Sequence, residues 1–373
     1  MHIPDGYLSP ATCATLYAAS APFWYIALQR VKRLLSTRLV PLLSLFAAFS
    51  FVIMMFNLPL PGGTTGHAVG MGIAAIVLGP WASMLAISVA LLIQAVFFGD
   101  GGITAFGANC FNMAIVGSLV AYWVYRAIAG RAAITATRRV VAGAVAGYAA
   151  INVAALLTAI EFGIQPLLFT DAQGTPLYAP YPLSVAIPAM MIGHLTIAGL
   201  AELVITGGVV AYLQRSDPAL LKLTAPNARG VEEGLQSVAQ RGGWRSLRPL
   251  FIGLALLMVL SPLGLLAAGT AWGEWAPEDF NNSQARHEIQ TGSLQAPAPA
   301  QAPAGLEKLS SLWTAPIPDY APAFMHNESF GYILSAVFGT GLIILAFFLI
   351  SWIARAIRGG DPDATPASSG RSV

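Results

Sequence analysis

The chain has 373 residues, 56% hydrophobic and only 10% charged, where a soluble protein carries about 25% charged residues. A mean hydropathy of +0.67 with a net charge of +2 excludes an ordinary soluble domain and leaves no basic footprint for nucleic acid. Long apolar runs make it an integral membrane protein.

The first residues read Met1-His-Ile-Pro-Asp-Gly6. A His directly after a free Met1 amine offers three nitrogens in succession: the amine, the His2 amide and its imidazole. Amine and amide close a five-membered ring on a metal ion. Amide and Nδ1 close a six-membered one, and the fourth corner of a square stays open. Tetragonal all-nitrogen sites suit Ni(II) or Cu(II). The amide must lose its proton to bind, so affinity should rise with pH. Position alone favours the plainer reading of His2 as an ordinary polar residue ahead of a first helix. No basic stretch and no small-residue cleavage site surrounds the first apolar run, so Met1 is expected to be the mature N-terminus.

The first apolar run covers residues 8–28 and is followed by Arg30, Lys32 and Arg33, which marks that end as cytoplasmic and Met1 as external. A second run, 39–57, returns to the outside and ends in a loop of helix breakers that carries His67. Gly79-Pro80 divides the next apolar stretch into a short third span, 68–78, and a fourth, 81–98. The third is short for a crossing of about 20 residues and is expected to lie inside the bundle or to begin within the loop. An outside loop, Phe98-Gly-Asp-Gly-Gly-Ile-Thr104, leads to a fifth span at 106–125. The sixth, at 140–160, and the seventh, at 183–213, flank an outside loop rich in Pro and aromatics.

Residues 214–248 read as a cytoplasmic linker. An eighth span is expected at 249–269 and a ninth at 332–353, around a long outside segment, 270–331. The low-complexity run 295–304 within it should be extended. A polar, disordered tail follows the last span. Of 19 Lys and Arg, all but Arg286 and Lys308 fall on the cytoplasmic side. The expected fold is all-α and integral to the cell (inner) membrane: a seven-helix bundle (1–213), the linker, then two helices flanking an extracytoplasmic loop (249–373).

His67 lies on the same side as His2 and is the candidate for the open corner, since neutral imidazole is a common ligand. Asp5, Asp100 and Asn109 belong to the same side and are candidates to orient the ligands. His194 and Glu202 share the seventh span, eight residues apart, and are not assigned to the metal. Cys13 and Cys110 form no CxxC pair and read as packed small residues. Small residues such as Ala142-Gly-Ala144 and Gly207-Gly208 suit close helix packing. No GxxxxGK[ST], HExxH or GxSxG occurs, so the chain carries no ATPase of its own and no hydrolytic motif. A quinone-linked oxidoreductase anchor using His194, or a metal exporter, are the alternative classes.

Several blocks together resemble the substrate-binding component of the nickel/cobalt energy-coupling-factor transporters. They are Met1-His-Ile-Pro-Asp-Gly-Tyr-Leu8, Phe49-Ser-Phe-Val-Ile-Met-Met-Phe-Asn57, Thr64-Thr-Gly-His67, Phe98-Gly-Asp-Gly-Gly-Ile-Thr104 and Gly107-Ala-Asn-Cys-Phe-Asn-Met113. The resemblance spans about residues 1–213 and is closer to the nickel branch. It implies a seven-helix protein holding one divalent ion, Ni2+ or next Co2+, near the outer face. The implied ligands are the Met1 amine, the His2 amide and imidazole, and the His67 imidazole. The implied partners are a transmembrane coupling protein and cytoplasmic ATPases. The layout of the C-terminal part resembles the small accessory subunit of these transporters, here fused. No Ser-Pro-Asp-Gly-Leu-Glu block is found there, and Gly269-Thr-Ala-Trp-Gly-Glu-Trp275 stands where one is expected.

Overall fold

The computed structural model describes residues 1–34, 39–222, 224–225 and 244–357. Most of the expected linker and the expected tail lie outside the described residues.

Residues 1–9 enter the bundle as a plug that turns at residues 5–8, and helix α1 (Pro10–Leu34) starts where Ser9 caps it. The Ser9 hydroxyl accepts the Thr12 N–H at 3.1 Å, and Pro10 fills the first helical position, where no N–H is needed. Helix α2 (Leu39–Met54) leads to a small hairpin, β1 (Leu58–Leu60) with β2 (Thr64–Gly66), paired antiparallel with Leu58 opposite Gly66. Gly62 and Gly63 turn it with φ of 90° and 77°, a conformation that favours glycine. His67 follows directly.

Helix α3 (Met71–Leu78) is buried along its whole length. At eight residues it rises about 12 Å, well short of a hydrocarbon core of about 30 Å. The expected third span is therefore an interior helix and crosses nothing alone. Six helices are long and apolar enough to cross a membrane among the described residues. Four belong to the first part: α4 (Pro80–Phe98), α5 (Phe106–Ala129), α6 (Thr137–Leu168) and α7 (Leu183–Ser216). The other two are Arg248–Leu266 and Glu328–Ile353. Val40–Met54 is a shorter apolar helix.

The small residues pack as expected at some positions. A Cβ on Gly143 would meet Val210 at 2.9 Å, and one on Gly207 would meet Ala144 at 2.9 Å, so α6 and α7 touch through their glycines. Gly208 faces open space. Cys13 and Cys110 are buried free thiols.

The C-terminal part docks on α2. Its first helix, α8 (Trp244–Leu260), ends in a 3-10 turn, Ser261–Leu266, whose Gly264 sits against the Met55 carbonyl. The segment expected as a loop is a folded cap. It contains α9 (Ser283–Gly292) and α10 (Ala304–Leu309) and buries Trp272, Trp275, Phe280, Ile289, Leu306 and Tyr320. Aromatic side chains supply most of that small core, each with a large apolar area. The run 295–304 lacks helix or strand until its last residue, which opens α10. The last helix, α11 (Glu328–Ile357), returns along α2, with the Tyr332 hydroxyl donating to the Met55 carbonyl at 3.0 Å.

Candidate metal centre

The plug carries its side chains into a buried chamber. Met1, His2 and Ile3 are 3%, 1% and 0% exposed. Backbone contacts hold it. Asn109 grips both sides of Ile3, accepting its N–H at 2.8 Å and donating to its C=O at 3.1 Å. The Gly102 N–H donates to the same carbonyl at 2.8 Å. Asp5 accepts the N–H groups of Ile103 and Thr104 at 3.1 and 2.7 Å, and the Thr104 hydroxyl as well. Each of these strong donors and acceptors would otherwise be stranded in an apolar interior.

His2 and His67 meet there. Their rings stack with centroids 4.9 Å apart and planes inclined by 28°. The His67 Nδ1 faces the Ala68 carbonyl at 3.1 Å, which leaves Nε2 without a partner. Burial, then the neighbouring His2 and the Met1 amine, hold the His67 pKa well below its ordinary value. Its ring is thus neutral and Nε2 keeps a lone pair. The His2 Nδ1 lies 2.6 Å from Asp100 Oδ1, and its Nε2 has no hydrogen-bond partner.

Asp100 belongs to the loop after α4, where a π-turn, Gln94–Phe98, ends at Gly99 with φ of 71°. Burial pushes its carboxyl up, but the His2 ring beside it, with His67 and Tyr320, brings it well below the usual carboxylate range. The Tyr320 hydroxyl donates to Asp100 Oδ2 at 2.5 Å, and Gln94 Nε2 donates to both Asp100 Oδ2 and Tyr320, at 3.0 and 2.8 Å.

The structure brings Met1, His2 and His67 into one chamber, with Asp100 on a ring and Asp5 and Asn109 on backbone. The four nitrogens do not ring an open square. The Met1 amine is paired with Glu274 at 2.9 Å, and Asp100 stands at the His2 Nδ1. No three His, Cys, Asp or Glu side chains converge as a metal cluster among the described residues. The donors in question are two imidazoles and backbone nitrogens.

Sequence reasoning missed Glu274, Tyr320 and Gln94. The first two belong to the cap, 273 and 220 residues from their partners, and no local pattern marks such pairs. A cleft of about 190 Å³ is lined by Pro4, Gly101, Gly102, Glu274 and Trp275 among others. Glu202 was set apart from the metal, and its carboxylate accepts the N–H groups of Val69 and Gly70, each at 2.9 Å. His194 turns its Nδ1 to the Met190 carbonyl at 2.9 Å.

Comparison with known proteins follows the same division. Residues 2–220 match the family model described as "Cobalt uptake substrate-specific transmembrane region", and residues 247–356 match the PDGLE domain. The chain is 58% identical over 358 residues to a fused nickel transport protein of Rhodobacter capsulatus, covering 96% of this chain and 99% of the relative. It is 43% identical to a probable fused nickel transport protein of Lactiplantibacillus plantarum, covering 92% and 96%. A solved "transition metal transporter" is 52% identical with a TM-score of 0.55, covering 62% of this chain and all of that one. The chain therefore belongs to the cobalt-uptake substrate-specific transmembrane family, with a PDGLE domain continuing the same polypeptide.

Proposed function

We propose that this chain captures Ni2+, or next Co2+, at the extracytoplasmic face, as the substrate-specificity subunit of an ATP-driven energy-coupling-factor importer. It is a transport component and not an enzyme. The reading takes the first part as a seven-helix component and the second as two helices around an external cap. Its N-terminus is external and its C-terminus cytoplasmic. A transmembrane coupling protein and cytoplasmic ATPases supply the power.

One observation carries the reading: a Met1-His2 terminus threaded into a buried chamber beside His67, whose Nε2 is unpartnered. In the loaded state the Met1 amine, the His2 amide and Nδ1, and the His67 Nε2 surround the ion. Glu274 then releases the amine, and Asp100 gives up its place at Nδ1. Asn109 and Asp5 fix the backbone so that the amide nitrogen faces the ion. Square-planar coordination with an ionised amide favours Ni(II), and Cu(II) meets the same geometry.

The test is calorimetric titration of Ni2+ into the full chain purified with an unmodified first residue. His2→Ala abolishes high-affinity binding and His67→Ala weakens it severely. Wild-type binding by the double variant rejects the site. One residue added before Met1 disrupts the chelate, and retained transport in that variant counts against the amine. Competition among Ni2+, Co2+ and Cu2+ assigns the cargo.

A further inference from the structure

His67 stands between two fixed points on one helix. On one side, Leu60 of the hairpin packs into the space left by Gly193 of α7, where a Cβ would lie 2.7 Å from Leu60 Cδ1. On the other, Glu202 of α7 reaches the backbone just after His67. Its Oε2 accepts the N–H groups of Val69 and Gly70 at 2.9 Å each. Its Oε1 accepts that of Gly72 at 3.2 Å and the Thr206 hydroxyl at 3.4 Å. The carboxylate is fully buried.

Val69 leads into α3, Gly70 is its N-cap and Gly72 lies in its first turn, and the first N–H groups of a helix have no partner within it. A local cap would use a side chain at the preceding position. Here that position is Gly70, with φ of 75°, so no side chain caps it locally. The cap comes from 132 residues away, and its place is set by α7. A carboxylate suits it, because the helix N-terminus attracts negative charge and charge-assisted hydrogen bonds are the stronger kind. The Ser50 hydroxyl holds the Val69 carbonyl at 2.6 Å, and Gly72 lies against Gly147 so closely that a Cβ would meet its Cα at 2.8 Å. Residues 67–72 have no slack left.

From this geometry we infer that Glu202 is a positioning residue for the His67 imidazole: it ties the ligand-bearing loop to α7 and so fixes where Nε2 points. The inference rests on the reading of His67 as a ligand. Groups that hold a ligand from behind are typically worth 10- to 100-fold in metal affinity. Glu202→Gln keeps the shape, but its NH2 group faces backbone donors and leaves at least one of them unpaired.

A double-variant cycle tests it, with Ni2+ titrated into the full chain carrying E202Q, H67A or both, and the Ni2+ d–d spectrum recorded for each. E202Q is expected to lose about 10- to 100-fold in affinity and to take on the spectrum of H67A. In the H67A background it is expected to cost nothing further, because contacts that act through one group are not additive. Wild-type affinity in E202Q overturns the inference, and so does a loss that adds in full to that of H67A. If H67A itself binds like wild type, the ligand assignment has failed instead, whatever E202Q does. Should E202Q not assemble, Glu202→Asp, which keeps the charge one methylene short, takes its place in the same cycle.

Discussion

Gly102→Ala probes the docking of the terminal plug without touching any nitrogen of the proposed site. A Cβ at Gly102 would lie 2.3 Å from the Asp5 N, 2.5 Å from Asp5 Oδ1 and 2.7 Å from the Pro4 carbonyl carbon. Ordinary contact begins at 3.4 Å, so the plug must retreat by about 1.1 Å. None of the three atoms can swing aside: two are backbone, and Asp5 Oδ1 is held by Thr104. Metal sites tolerate about 0.2 Å in ligand distances, so such a shift spoils the geometry unless the ion pulls the chain back against the clash. Overpacking of this kind costs about 1–3 kcal/mol, equivalent to about 5- to 150-fold in affinity. Titration of Ni2+ into the variant, with Gly208→Ala as the control that meets open space, reads the loss directly. Binding within about twofold of wild type, with an unchanged d–d spectrum, would refute the idea that this seating sets the site.

Three further outcomes are expected. Asp100→Asn removes the carboxylate that stands at the His2 Nδ1 and must leave it for the ion, so Ni2+ binding in the same titration should be no weaker than in the wild type. Tyr320→Phe strips a partly buried hydrogen bond from Asp100 and a buried one from Gln94, at about 1–3 kcal/mol, and should lower the melting temperature and speed proteolysis within 270–327. The pH dependence has a defined sign. Protons compete for the amine and amide, so affinity falls as pH falls. Because burial first, then His2 and the Met1 amine, depress the His67 pKa, this ring carries no proton near pH 6.5, where an ordinary His gains one. Plots of log affinity against pH for wild type and H67A should therefore run parallel from about pH 6 to 8. An extra step in the wild type, absent from H67A, would show that His67 does titrate there.

The membrane character and the long helices were legible in composition and hydropathy, because lipid forces apolar runs on any spanning segment. Hydropathy overcounted at α3, since it registers apolar residues without knowing whether protein or lipid surrounds them, and eight buried residues look the same either way. The terminal nitrogens were legible because amine, amide and imidazole are joined by covalent bonds whose spacing no fold alters. Sequence placed Asp5 and Asn109 only by side of the membrane and gave no sign that they would grip backbone at Ile103, Thr104 and Ile3.

What the amino-acid order determined by itself, then, is what short-range chemistry carries: the apolar runs, the family blocks and the succession of nitrogens at the N-terminus. Only the tertiary structure decided that Glu274 holds the Met1 amine, that Tyr320 leans on Asp100 and that Glu202 fastens the loop after His67. Each is a polar pairing, buried or partly buried, across more than 130 residues. Such pairings form because a donor or acceptor shut away from water must find a partner wherever the chain brings one, and that meeting point exists only after the helices have packed.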